Sequence, residues 1–410
     1  MTATTSDPLD SRYSWMRLAL SLAIATVGNV GMWSVIVVLP AVQAEFGTGR
    51  GEASLPYTLT MLGFALGNLL IGRVVDRHGV TFALSMAALL SGAGYLAAAA
   101  SPSILILAVA QFVIGLGTAA FFGPLIADVS LWFRRRRGIA VAITACGNYL
   151  AGAIWPLMLA GVLSGQGWRA VYVVLAVLVA GAVVPMAQLL RRRLPDLSLS
   201  ATAQASPFVP RRVPWSPGAL MWILAAAGVA CCVAMSMPQV HIVALCVDLG
   251  FGPAVGAEML ALMLMGGVVS RLVSGVIADR LGGVMTLLIG SVLQMLALIL
   301  YLPADGLASL YIVSLVFGLA QGGIVPAYAI IVREYMPARE AGARVGFVIM
   351  ATILGMALGG WMSGWIFDVT GSYSLAFVNG IVWNGLNIAI MLTILLRSRP
   401  AAPTADARPA

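Results

Sequence analysis

Arg271 stands in the middle of "MLMGGVVSRLVSGVIADRLGG", Met263 to Gly283, an otherwise apolar stretch that reads as helix. A guanidinium is permanently charged and offers a planar fork of N–H donors, which suits a carboxylate taken up through two parallel hydrogen bonds. At 1.5 Å per residue Arg271 lies about 12 Å along the helix from Asp279, close to the middle of the stretch. A charge at the centre of a membrane span costs at least about 2.5–3.5 kcal/mol on insertion scales and is normally kept for a partner or a pathway. The competing reading is structural: the side chain snorkels to an interface, or pairs with an acid such as Asp128. No other full-length apolar stretch supplies an unpaired acid at matching depth, which favours recognition of an external anion.

Other side chains could share that chemistry. His241, in "MPQVHIVALCVDLG", could titrate near neutral pH, which makes a proton the candidate coupling ion, or could be held neutral by a hydroxyl or carbonyl. Asn29, Trp33, Asn148, Tyr149, Trp155, Gln239, Gln321 and Tyr328 are candidates for lining a cavity with Arg271, each also readable as helix packing. Asn384 and Asn387 share a face of the last apolar run and are placed outside the cavity. Glu258 and Asp248 fall near the external face, where hydration argues against coupling. The cysteines Cys146, Cys231, Cys232 and Cys246 lack metal-site spacing and read as apolar packing. No nucleotide loop, metal-ligand cluster or nucleophile triad appears, so neither a cofactor, a metal nor enzymatic activity is expected.

The elements that must position these residues follow from composition. The chain is 61% hydrophobic and 9% charged, against the roughly 25% charged residues of soluble domains, which makes it a membrane protein. Runs long enough to span a hydrocarbon core of about 30 Å lie at 16–39, 54–74, 80–100, 103–127, 139–163, 171–190, 218–246, 255–277, 284–302, 307–332, 342–366 and 374–396. Lysine is absent, so all 23 basic residues are arginine. The amino terminus, the even-numbered loops and the carboxyl tail hold most of them, the odd loops hold only Arg50 and Arg169, and Arg271 alone sits inside a span. The positive-inside rule then predicts that both termini are cytoplasmic. The net charge of +8 is therefore a topology signal, and no nucleic-acid partner is expected. The polar start, "MTATTSDPLDSRYSW", does not read as a cleaved signal.

Between the sixth and seventh runs, Arg191 to Gly218 is rich in Pro, Ser and Arg and can be neither span nor packed core. The expected organisation is a cytoplasmic tail (1–15), a six-helix bundle (16–190), a cytoplasmic loop (191–217), a second six-helix bundle (218–397) and a cytoplasmic tail (398–410). The halves repeat at an offset of 203 residues: Gly72, Asp76, Arg77 and Gly79 of "GRVVDRHG" fall on Gly275, Asp279, Arg280 and Gly282 of "GVIADRLG", and Gly115 falls on Gly318. Duplicated spans with a ligand near the midplane between the halves are the build of secondary transporters. Gly72 and Gly275 are expected to allow close helix approach, and Gly79 and Gly282 a tight reversal. Asp76 and Asp279 end their helices where the dipole disfavours an anion, so each is expected to face a neighbouring helix start or an arginine.

These two motifs resemble the G-x-x-x-D-R-x-G mark of the major facilitator superfamily, over the chain from about Trp15 to Arg397. The resemblance implies an all-α membrane protein of twelve transmembrane helices in two pseudo-symmetric bundles. It also assigns Gly72, Asp76, Arg77, Gly79, Gly275, Asp279, Arg280 and Gly282 to conformational gating. The stretch "DVSLWFRRRRGIAVAITACGNYLAG", Asp128 to Gly152, is similar to the fifth-span signature of monocarboxylate porters and oxalate/formate antiporters, with Ala142 where glycine is usual and Asn148 and Tyr149 at usually small positions. Of that branch's first-span signature only "NVGMWS" survives, without its acid. In that branch the position four residues before Gly275 carries a substrate-binding arginine, here Arg271. Three coupling devices of the relatives are missing: Gly267 replaces an aspartate, Gln111 replaces an arginine, and no lysine is present.

The expectation is a monomeric secondary transporter of a bacterial-type inner membrane that moves a small organic anion, a monocarboxylate, by alternating access. The rivals are an exporter of drugs or neutral solutes, in which Arg271 is structural, and a non-transporting membrane sensor.

Overall fold

The computed structural model describes residues 9–192, 211–336 and 338–400, so most of the central loop and most of both outer tails lie outside the described residues. Eleven helical stretches are long and apolar enough to cross a membrane. One of them, Arg137–Gln188, runs for 52 residues. That is about 78 Å of helix against a core of about 30 Å, so it must be two crossings. Gly167 separates them, with φ 80° and ψ 175°, a conformation that only glycine adopts readily. The chain therefore crosses twelve times.

The first crossing is α1 (Arg12–Gly28) and α2 (Val30–Phe46), broken at Asn29. After the short α3 (Arg50–Ala53) come α4 (Leu55–His78), α5 (Val80–Ala99), α6 (Ile104–Thr118), α7 (Gly123–Trp132), α8 (Arg137–Leu178) and α9 (Val184–Gln188). The second half comprises α10 (Pro217–Asp248), α11 (Pro253–Leu281), α12 (Gly283–Tyr301), α13 (Leu307–Gln321), α14 (Ile324–Tyr335), α15 (Ala338–Thr370) and α16 (Ser374–Arg397). Ser11, Ser103 and Ser216 start α1, α6 and α10 by accepting a backbone N–H from three residues on, the usual means of satisfying an otherwise orphaned donor. Gly79 (φ 84°) and Gly282 (φ 81°) reverse the chain between α4 and α5 and between α11 and α12. Both repeat motifs thus end in the same left-handed turn.

The repeat extends into packing. A Cβ on Gly115 would lie 2.1 Å from the Thr60 carbonyl, and a Cβ on Gly318 2.0 Å from the Met263 carbonyl. Thr60 and Met263 are themselves one repeat apart, so α4 crosses α6 as α11 crosses α13. Small residues at these crossings permit the backbone approach that holds helices together in lipid. Many large apolar side chains, among them Leu69, Leu105, Val177, Ile312 and Leu396, are exposed, as expected where lipid replaces water.

The halves meet at the face opposite the termini and at mid-depth. At the opposite face the backbone N–H groups of Arg50 and Gly51 reach the Asp368 carboxylate, and Tyr57 lies against Gly360. At mid-depth α8 packs on α11. Toward the terminal face the contacts end: a Cβ on Gly72, Gly138, Gly275 or Gly346 would meet nothing within 4 Å. The close approach expected of Gly72 and Gly275 is therefore not made in this conformation, because the helix ends that would approach them stand apart.

Candidate functional site

Arg271 lies on α11 with 7% of its surface exposed. Its Nε donates to the Gly322 carbonyl (3.2 Å) and its Nη1 to the Ala145 carbonyl (2.6 Å), while its Cζ sits 4.2 Å from the centre of the Tyr149 ring. Ala145 and Tyr149 belong to α8 of the first half and Gly322 to the second. The guanidinium thus bridges the halves at mid-depth.

Local sequence explains each contact. The tenth crossing is broken at Gly322 and Gly323. A helical carbonyl at position 322 would bond to the N–H of residue 326, which is Pro326 and has none. The Gly322 carbonyl is therefore left for Arg271. Glycine is also needed there, since a Cβ would lie 2.1 Å from the Gly267 carbonyl. Gly267, one turn before Arg271, faces the Tyr149 ring at 3.2 Å from where its Cβ would be, so the ring packs between the glycine backbone and the guanidinium. A cation over an aromatic face gains about 0.5–2 kcal/mol, more when desolvated.

Two neutral carbonyls and one ring do not neutralise a charge. Among the described residues no carboxylate lies within ion-pair distance of Arg271. Asp128, the structural partner considered for it, instead takes Arg17 through two bonds of 2.7 Å at the terminal face. A guanidinium carries five N–H donors, and the two bonds to carbonyls leave three for another acceptor.

Several expected residues join this cluster. Trp33 donates from Nε1 to the carbonyl and the side-chain oxygen of Asn148 (2.9 and 3.0 Å). Gly152 brings the Trp33 ring and Leu264 of the other half together. Trp155 does not join it and is tied instead to the Thr26 carbonyl within the first half (2.8 Å). Gln239 donates to Gln321 (2.5 Å), the residue beside Gly322. The outer atoms of that pair, Gln239 Oε1 and Gln321 Nε2, are buried without a partner among the described residues.

Others fall elsewhere. Asn29 bonds the Ala25 and Phe121 carbonyls inside the first half (2.8 and 3.0 Å), bridging two helix breaks. Tyr328 donates to Asn387 (2.9 Å), which with Asn384 is anchored on Ser291 inside the second half. These positions turn away from Arg271 because their own half supplies acceptors. His241 is fully buried, with Nε2 at 2.8 Å from the Gly360 carbonyl and Nδ1 at 3.0 Å from Tyr373 Oη. A carbonyl only accepts, so Nε2 carries the proton. Glu258 accepts from Tyr311.

The Asp-Arg pairs of the repeated motif, Asp76 with Arg77 and Asp279 with Arg280, are exposed here, and neither aspartate has a hydrogen-bond or ion-pair partner among the described residues. The helix start or arginine expected opposite each aspartate is absent because the terminal-face ends are separated. Asp76 borders a cavity of about 780 Å³ with Arg17, Asp128, Trp132 and Arg191. That cavity belongs to the first half alone and does not reach Arg271.

Reading by side-chain type missed the carbonyls of Ala145 and Gly322, and with them Pro326. The sequence "QGGIVPAY" held a usable signal, a glycine carbonyl four residues before a proline. It also passed over Arg50, although an arginine in an arginine-poor loop is itself unusual.

A twelve-crossing helical protein, built from two repeated six-crossing halves with a polar cluster at mid-depth between them, has the build of a secondary transporter. The sequence profile described as Major Facilitator Superfamily matches residues 21–307 and 237–410, and the chain belongs to that superfamily. Among curated proteins it is similar to monocarboxylate transporter 13 of Rattus norvegicus, 25% identical over 382 residues, covering 91% of this chain and 87% of that one. It is also similar to MFS-type transporter 1 of an Ophiocordyceps species, 24% identical over 311 residues, covering 74% of this chain and 67% of that protein. Among solved structures, a bacterial homologue of the human lysosomal transporter Spinster, in an inward-facing and occupied conformation, aligns with a TM-score of 0.75 at 15% identity, covering 96% of this chain and 98% of that one. At that identity the likeness concerns the fold.

Proposed function

We propose that the protein is a secondary active transporter of a small organic anion, a monocarboxylate, that works by alternating access with Arg271 as the anion site. The observation that carries this reading is a buried guanidinium between the halves with three N–H donors unspent and, among the described residues, no carboxylate to neutralise it. A substrate carboxylate supplies the missing charge, and because Arg271 touches both halves its neutralisation bears on how they move. The similarity to monocarboxylate transporter 13 supports the same substrate class. On the positive-inside reading the termini are cytoplasmic, and the conformation, closed at the opposite face and separated at the terminal face, is then inward-facing. A bacterial-type inner membrane is the proposed setting.

The test is a screen of labelled short monocarboxylates for uptake into proteoliposomes, followed by binding of any hit to purified Arg271→Gln protein. Uptake of a carboxylate with binding lost in the variant supports the proposal; undiminished binding removes Arg271 from the site. One observation favours the rival in which Arg271 is structural, as in an exporter of neutral solutes: its bonds to Ala145 and Gly322 already tie three helices together. Under that reading uncharged compounds are transported and carboxylates are not.

A further inference from the structure

At the opposite face most of the hydrogen bonds between the halves converge on Arg50 and Gly51, with Thr58 Oγ1 to the Ala357 carbonyl (3.3 Å) a further one. Asp368, near the end of α15, accepts the Arg50 N–H on Oδ1 (2.6 Å) and the Gly51 N–H on Oδ2 (2.7 Å). The Arg50 side chain continues into the second half, with Nη2 on Asp248 Oδ1 (2.5 Å), Nη1 on Tyr373 Oη (2.8 Å) and its Cζ 4.8 Å from the centre of the Phe367 ring. The fit is close: a Cβ on Gly49 would lie 2.7 Å from the Asp368 carboxylate, and one on Gly364 2.7 Å from the Arg50 carbonyl. Since Tyr373 Oη accepts from Arg50, its own proton turns to His241 Nδ1, and His241 Nε2 donates on to the Gly360 carbonyl. Gly360 in turn carries the Tyr57 ring of the first half.

We propose that Asp368 and Arg50 form the lock that keeps the opposite face shut in this conformation, and that His241 braces it through Tyr373. The bonds of Arg50 and Gly51 to Asp368, Asp248 and Tyr373 all join one half to the other, so all are lost if that face opens. They are charge-assisted, and charge-assisted bonds are about twice as strong as neutral ones. Asp368 grips backbone donors, so its hold does not depend on side chains in the first half. The lock is also single: at the repeat offset of 203, Arg50 corresponds to Pro253, which has neither a guanidinium nor a backbone N–H to give. His241 therefore acts on the opening of this face and not on the anion. The inference rests on alternating access but not on the identity of the substrate.

The experiment measures the distance between spin labels at Gln166 and Asp305, both exposed at the opposite face, one in each half, in the purified full chain in lipid nanodiscs without substrate. The native cysteines are buried. The wild type should give mainly the short, closed distance. Asp368→Asn should raise the ratio of open to closed molecules by about tenfold or more, the effect of losing one charged hydrogen bond. Arg50→Lys and His241→Gln should give smaller shifts in the same direction. An unchanged distribution in folded Asp368→Asn overturns the lock. If that variant does not fold, Asp248→Asn at its partly exposed site carries the test, and an unchanged distribution there overturns it equally. A shifted distribution in protein that binds no anion would refute the anion site and keep the lock; unshifted distances with normal anion binding would do the reverse.

Discussion

At the scale of single residues the decisive feature is an arginine whose surroundings orient it without neutralising it. Charged hydrogen bonds contribute roughly 1.5–3 kcal/mol each, so Arg271→Lys, which keeps charge but loses the fork, should weaken carboxylate binding by about 10- to 100-fold. Arg271→Gln should be worse, and an amide analogue of the substrate should bind wild type poorly; calorimetry on folded protein reads both. Tyr149 is the second residue at stake, since its ring packs between the Gly267 backbone and the guanidinium. Tyr149→Phe retains the ring and should stay within about threefold of wild-type affinity, whereas Tyr149→Leu removes the cation–π contact, worth about 0.5–2 kcal/mol, and should lose about 2- to 30-fold. Equal losses in the two variants would show that the hydroxyl matters and the ring does not.

At the scale of elements, the site depends on a broken helix. The gap between α13 and α14 leaves the Gly322 carbonyl unbonded because Pro326 has no N–H to give. Pro326→Ala restores that donor, and because Pro326 stands in the first turn of α14, where proline costs a helix little, the exchange relieves little strain. The helix should become more regular and the protein no less stable, yet Arg271 loses its competition for the carbonyl and anion affinity should fall several-fold. Thermal unfolding and binding, measured on the same preparation, check the two halves of this prediction; unchanged affinity would mean that Gly322 does not orient Arg271. The paired crossings give a contrasting case. Gly115→Val or Gly318→Val would drive a side chain into a facing carbonyl, and either should lower the unfolding temperature without bearing on substrate choice.

At the scale of the whole molecule, contacts at mid-depth and at the opposite face, with open ends at the terminal face, describe one of two states that a carrier must visit. Asp76 and Asp279 stand exposed in this one, without a partner among the described residues. If they latch the terminal face in the other state, Asp76→Asn or Asp279→Asn should slow turnover while leaving substrate affinity within a few-fold. A fall in affinity at unchanged turnover would place them at the substrate instead. Topology is tested separately: a reporter fused after Ser103 or Asp305 should be external and one after Arg192 cytoplasmic, and the reverse at any of them would break the proposed orientation.

The sequence by itself determined the twelve crossings and the two-fold repeat, because membrane insertion is governed by run length and apolarity, both local quantities. It also marked Arg271, since a lone charge in a span is conspicuous without any knowledge of its neighbours. The motif glycines Gly79 and Gly282 were legible for a related reason: a reversal through a single residue between two helices takes a positive φ here, which glycine adopts without strain. Tertiary structure alone decided which polar residues share a site. Asn29, Tyr328 and His241 looked equivalent to Asn148 and Tyr149 by type and depth, yet each found its acceptor elsewhere, and acceptor position depends on helix rotation and crossing. The partners of Arg271 are backbone carbonyls and those of Asp368 backbone N–H groups. Every residue but proline carries both groups, so side-chain identity gives no sign of which will be used until packing brings two backbones together.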